Sequence, residues 1–295
     1  MKNILITGAS GMLGASLANY FKDFHVFGTA DSEYKKANFK YKKFNLLSEN
    51  YDDLINWSKP DIIIHCAAIT NGNICEENPN LALNVNGLSV KKLLLATNNN
   101  VKLIYISTDA VFPSELHMAK ECDCTGPENI YGKSKELGEF FLNTSTDRSF
   151  TIIRTTIVGL NLNKENTGFV EWIINSAKNN EELGLFNDVL FTPISIWDLA
   201  NEIKFLINSN NISSEILHIG GESCTKYAFG YQLLKALNIS TEKVIETSIL
   251  KFKERAKRCM DQSMNSDLYK KKYKRKTPTL IQTINTIKKN YHERN

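Results

Sequence analysis

The sequence predicts an α/β protein: a doubly wound parallel sheet followed by a smaller C-terminal lobe. Three observations carry this. Short apolar runs alternate with helix-like stretches through the first half of the 295 residues, the pattern of a sheet covered on both faces. A glycine-rich turn stands directly between the first apolar run and the first helix-like stretch. Beyond about residue 156 the alternation breaks up.

The strand-like runs are residues 3–7, 25–29, 61–66, 103–107 and 150–155, each short, apolar and bounded by polar or turn residues. Helix-like stretches lie between them at 14–22, 81–98 and 130–142. Residues 160–168, rich in Asn and Lys, read as a loop. Residues 169–178 read as a helix, 188–196 as a strand, 197–207 as a helix and 216–219 as a strand. A helix is expected near 227–237, and Pro278 is expected to open the last one.

Composition narrows the class. Hydrophobic residues at 42% and charged residues at 23% match soluble globular proteins and exclude disordered, collagen-like and coiled-coil readings. No apolar run approaches the roughly 20 residues that span a bilayer, so no membrane partner is expected. Residues 1–8 pass straight into a strand-like run, without the apolar core and cleavage site of a signal peptide, which predicts a cytoplasmic protein. Cys66, Cys75, Cys122, Cys124, Cys224 and Cys259 show no framework spacing and are expected to stay reduced. Cys122 and Cys124, with His117 nearby, lack the second pair that zinc sites draw on, so no metal is expected. Residues 251–295 hold 14 Lys and Arg against 4 Asp and Glu, leaving +10 there and −6 elsewhere. Such a tail suits a phosphate-bearing ligand or a solvated helix face. No nucleic-acid signature accompanies it, and no nucleic-acid partner is expected.

Gly8, Gly11 and Gly14 form G-x-x-G-x-x-G after the first strand and at the opening of a helix. The first glycine permits the turn, the second lets the backbone approach a pyrophosphate, and the third allows close helix packing. The helix N-terminus suits the anion. This makes the sheet Rossmann-type and places an NAD(P)-binding domain over 1–156, with 188–207 returning to it. Residues 157–187 and 208–295 are left mainly as a substrate-binding lobe. Asp31 at the end of the second strand suits ribose hydroxyls, whereas Lys35 and Lys36 suit a phosphate. The choice between NADPH and NADH stays open. Tyr131 and Lys135 form Y-x-x-x-K, one turn apart on one helix face. The cation is expected to lower the Tyr131 pKa toward the working range. Cys66, His65, His218, Trp172 and Trp197 are read as packing residues.

The combination T-G-A-S-G-M-L-G (7–14), C-A-A-I-T (66–70), S-T-D-A-V-F (107–112) and Y-G-K-S-K (131–135) resembles the extended short-chain dehydrogenases/reductases. Within them it is most similar to the dTDP-4-dehydrorhamnose reductase group of sugar-nucleotide reductases. The resemblance implies reduction of a keto group on a nucleotide-sugar by NADPH or NADH, in deoxysugar or surface-polysaccharide biosynthesis, and allows a homodimer. It implies that Gly8, Gly11, Met12, Leu13 and Gly14 cradle the pyrophosphate and that Asn45 and Leu46 lie along the adenine. Ala67, Ala68 and Ile69 would line the cofactor near its ribose. Thr108 would bond the substrate oxygen, Tyr131 would be the general acid, and Lys135 would hold ribose and tune Tyr131. Asp109 and Arg258 would face the nucleotide-sugar.

Three positions depart from the group's pattern. Asn45 stands where an acidic residue is usual, Ala110 replaces a Tyr, and Ile157, near the sugar, replaces a Trp. Ala110 cannot supply acid–base chemistry, which argues against a dehydratase. A 4-epimerase and a non-catalytic regulatory subunit, like relatives that regulate methionine adenosyltransferase, stay as alternatives.

Overall fold

The computed structural model describes residues 1–34, 37–163, 167–252 and 259–294. The chain opens with β1 (Asn3–Thr7), α1 (Met12–Tyr20), β2 (His25–Ala30), β3 (Lys40–Lys43), α2 (Tyr51–Ser58) and β4 (Ile62–His65). It continues through α3 (Gly72–Glu77), α4 (Pro79–Ala82), a π-helical turn (Leu83–Leu88), α5 (Ser89–Ala96), β5 (Lys102–Thr108), α6 (Ile130–Asn143) and β6 (Phe150–Val158). Then come α7 (Phe169–Lys178), β7 (Leu183–Phe186), β8 (Leu190–Phe191), β9 (Pro193–Ser195), α8 (Ile196–Asn208) and β10 (Glu215–His218). The last elements are β11 (Cys224–Thr225), α9 (Lys226–Ala236), β12 (Val244–Thr247), β13 (Asp261–Gln262), α10 (Asp267–Tyr273) and α11 (Leu280–Arg294).

Among the described residues the main sheet has eight strands, ordered β10-β6-β5-β4-β1-β2-β3, with β9 also paired to β6. All its pairings are parallel. Strand alternation explains its two cores. Ile4, Ile6, Ile62 and Ile64 face Leu13 and Leu17 of α1 and Leu199 and Ile203 of α8. Leu5 and Ile63 face Leu54 of α2 and Val90 and Leu93 of α5. With both faces covered, β1 and β4 carry unbroken apolar stretches at Ile4–Ile6 and Ile62–Ile64. A third core joins α7, α9 and α11 to β7 and β8 through Ile173, Leu185, Phe191, Phe229 and Ile284. No helix among the described residues is long and apolar enough to cross a membrane.

The structure departs from the expected elements where tertiary contacts intervene. The single helix expected over 81–98 is α4, the π-helical turn and α5 in succession. Residues 188–196 divide at Thr192 into β8 and β9, which belong to different sheets. The last helix starts at Leu280 rather than at Pro278. Thr279 caps it reciprocally: Gln282 N donates to Thr279 Oγ1 at 3.2 Å and Thr279 N to Gln282 Oε1 at 2.9 Å.

The sheet order reverses between β1 and β4, whose neighbours lie on opposite sides. A ligand crevice opens at the carboxyl ends of the strands at such a point.

Candidate active site

A cavity of about 320 Å³ lies there, lined by Gly8, Gly11, Asp31, Asn45, Leu46 and the Ala67–Ala68–Ile69 segment, among others. Gly8 has φ +68°, and a Cβ there would sit 2.7 Å from the Ala67 backbone. Both the conformation and the space require glycine. A Cβ at Gly14 would lie 2.2 Å from the Gly8 carbonyl oxygen, so α1 packs directly on the turn. Gly11 caps α1 in an extended conformation without any side-chain hydrogen bond. The first N–H groups of the helix are therefore left for an anion. Met12 and Leu13 begin α1. The Leu13 side chain is in the core, so only its backbone faces this role. Tight turn, uncapped helix and crevice fit NADPH or NADH.

Below the floor, His65 is fully buried and neutral, its pKa lowered to about 3 by burial. Ser89 Oγ donates to Val85 O at 2.6 Å, so it accepts from His65 Nε2 at 3.0 Å. His65 Nδ1 then accepts from Thr7 Oγ1 at 2.7 Å, and Thr7 Oγ1 accepts from Ala67 N at 3.3 Å. His65 is a packing histidine with every ring nitrogen used.

Thr108, Tyr131 and Lys135 lie at the end of β5 and in the first turns of α6. Asn129 caps α6 by accepting from Gly132 N at 2.8 Å. A Cβ at Gly132 would lie 2.1 Å from Ala110 O, which lets the helix press against the Thr108–Ala110 turn. The buried Arg154–Glu139 pair, 2.6 Å apart, ties α6 to β6. Thr108 Oγ1 donates to Asp109 Oδ1 at 2.8 Å, and its hydroxyl is hydrogen-bonded to Tyr131. Burial pushes the Tyr131 phenol above its ordinary range; the Thr108 bond opposes this and the Asp109 charge adds to it. This corrects the expectation that Lys135 lowers it. Lys135 is 2% exposed, with its ammonium 4.0 Å from the Tyr105 ring centre. Burial lowers its pKa to about 7, while Cys66 and Glu139 pull it back up. A protonated phenol at neutral pH is the form a proton donor needs.

Asp109 is buried between two threonines, accepting from Thr108 and from Thr156. Burial raises its pKa, opposed by those hydrogen bonds and by the charge of Lys226. Lys226, at the start of α9, lies 3.4 Å over the Phe191 ring. Ile157 is half-buried in β6 and packs toward the first core.

The chain matches the family model described as RmlD substrate binding domain over residues 1–292. The chain belongs to this family. A spore coat polysaccharide biosynthesis protein, SpsK of Bacillus subtilis, is 30% identical over 254 residues, 85% of this chain and 82% of that protein. The beta subunit of methionine adenosyltransferase 2 from Xenopus tropicalis is 36% identical over 247 residues, 81% and 73% of the two chains. The crystal structure of dTDP-4-dehydrorhamnose reductase from Bacillus anthracis in complex with NADP is 26% identical, covers 97% of this chain and 99% of its own, and superposes with a TM-score of 0.81.

Within this RmlD-family site the crevice gathers Gly8, Gly11, Asp31, Asn45, Leu46 and the 67–69 wall, and Thr108, Asp109 and Tyr131 meet one another. Arg258, Lys35 and Lys36 lie outside the described residues. Sequence reasoning missed Lys226, because its bearing on Asp109 joins residues far apart in the chain and no local pattern marks it. It also gave no role to Asn86, whose side chain bonds both Ile69 and Ser134.

Proposed function

We propose that this protein reduces the keto group of a nucleotide-activated 4-keto-6-deoxy sugar with NADPH or NADH, in deoxysugar or surface-polysaccharide biosynthesis in the cytoplasm. The observation that carries this is the Thr108–Tyr131–Lys135 set beside a crevice whose glycine floor suits a dinucleotide. The cofactor supplies the hydride when bound. Gly8, Gly11 and the first turn of α1 hold its pyrophosphate, and Asp31 reaches the adenosine ribose. Tyr131 holds a proton on its phenol oxygen and delivers it to the keto oxygen. The Thr108 hydroxyl, turning its proton from Asp109 to the keto oxygen, sets where that oxygen sits. Lys135 holds the nicotinamide ribose and orients Tyr131.

In this reading residues 1–156 and 188–207 serve the cofactor, and 157–187 with 208–295 serve mainly the sugar, apart from β10 and α10, which pack on the main sheet. Arg258 and Ile157 belong to the sugar side. Exposed Leu95 and Phe140 on α5 and α6 supply an apolar face for a homodimer.

NADPH and NADH binding, then turnover against a panel of 4-keto nucleotide-sugars, tests the proposal. Cofactor oxidation with one sugar is expected. Tyr131→Phe is expected to bind cofactor as the native protein does and to lose turnover by about 100-fold or more; retained turnover would sink the assignment. The 36% identity to a methionine adenosyltransferase subunit favours a second reading, a regulatory subunit. Tight cofactor binding with no turnover on any sugar would favour it.

A further inference from the structure

The crevice wall at Ala67–Ile69 and the helix bearing Tyr131 and Lys135 are separate pieces of backbone, and one side chain joins them. Asn86 is fully buried in the π-helical turn, the kind of helix defect that recurs at working sites. Its Oδ1 accepts from Ile69 N at 2.7 Å and its Nδ2 donates to Ile69 O at 3.0 Å, matching that peptide on both sides. The other Nδ2 hydrogen goes to Ser134 Oγ at 2.9 Å, and Ser134 donates to Tyr131 O at 2.7 Å. Only this orientation of the amide works, because a flipped group would set its NH2 against the Ile69 N–H. From β5, the Tyr105 hydroxyl contacts both ends, Asn86 O at 2.9 Å and Lys135 O at 3.3 Å. A Cβ at Gly87 would lie 2.7 Å from Leu137, so the turn is pressed onto α6.

We propose that Asn86 is a positioning residue that registers the cofactor wall to the helix of Tyr131 and Lys135, so that filling the adenosine end of the crevice stiffens α6. The mechanical link needs only nucleotide binding; its effect on rate rests on the reductase reading. Any buried amide needs its donors and acceptor satisfied; what marks this one is where its bonds go. Every polar atom of Asn86 is used between two segments that bracket the reaction.

Hydrogen exchange with ADP as the probe separates the possibilities, since ADP carries the diphosphate but no nicotinamide ribose for Lys135 to hold. In the native protein, saturating ADP is expected to slow exchange in residues 66–70 and also in 130–138. In Ser134→Ala, which removes one oxygen and spares the Ile69 clamp, ADP should still protect 66–70 but no longer 130–138. Asn86→Ala should behave in the same way, and Ser134→Ala keeps the test decisive if Asn86→Ala fails to fold. With NADPH and an accepted sugar, Ser134→Ala should lose about tenfold in kcat with its KM for NADPH unchanged, the signature of misplacement rather than weaker binding. Protection of 130–138 in Ser134→Ala equal to native, or no such protection in the native protein, overturns the proposal. A native protein that turns over no sugar defeats the reductase reading and leaves the exchange result to decide the link.

Discussion

Lys135 carries its charge into a place where burial opposes it, at 2% exposure and with a pKa near 7. In the unfolded chain the same group titrates near 10.4. Between these values the unfolded state holds a proton that the folded state lacks, so this residue's contribution to stability rises with pH across that window. Below about pH 7 both states are protonated and the burial penalty is complete. Lys135→Met is therefore expected to melt above the native protein at pH 7 without cofactor, with the gap closing toward pH 10. A pH-independent gap, or a more stable native protein, in melts across that range would contradict the buried cation. The one-turn spacing of Tyr131 and Lys135 was legible in the sequence, because it is a property of the helix alone. The direction of the Tyr131 shift was not, since it depends on what the fold lays over the ring. Asn86 was hidden for a similar reason: its partners stand 17 and 48 positions away.

Helix α6 owes its place to the absence of a side chain at Gly132. Alanine there would gain up to about 1 kcal/mol of helix propensity. Its Cβ would also collide with Ala110 O at 2.1 Å, and overpacking against backbone costs about 1–3 kcal/mol. The clash wins. Gly132→Ala is expected to lower the melting temperature and, by moving Tyr131 off Thr108, to cut turnover while leaving NADPH affinity near native. Calorimetry with a binding titration checks both. The buried strands β1, β4, β5 and β6 were readable as apolar runs because both of their faces are covered. β3 was not: Lys40-Tyr41-Lys42-Lys43 sits at the sheet edge, where charge discourages further pairing and removes the apolar signal. The division at Thr192 escaped notice because only one residue separates β8 from β9, and their pairing partners differ.

For the whole molecule, the crevice links stability to ligand. A dinucleotide at 100 times its Kd adds about 2.7 kcal/mol to the folded state. With an unfolding entropy of about 2.1 cal/mol/K per residue, a chain of 295 residues shifts by about 1.6 °C per kcal/mol, so NADPH or NADH should raise the melting temperature by about 4 °C. Gly8→Ala, strained by its φ and by Ala67, should abolish the shift. An undiminished shift in that variant would place the cofactor elsewhere.

The outer neighbour of β6 is β10, which begins only at Glu215. On the ribosome, residues 150–158 emerge well before the strand that covers their flank. Until then Phe150, Ile152 and Ile153, all buried in the finished protein, border an open parallel edge of the kind that recruits other chains. The nascent protein therefore passes through an interval in which it depends on chaperones or dilution, and its yield in an overexpressing cell should be governed by that interval rather than by the strength of the completed core.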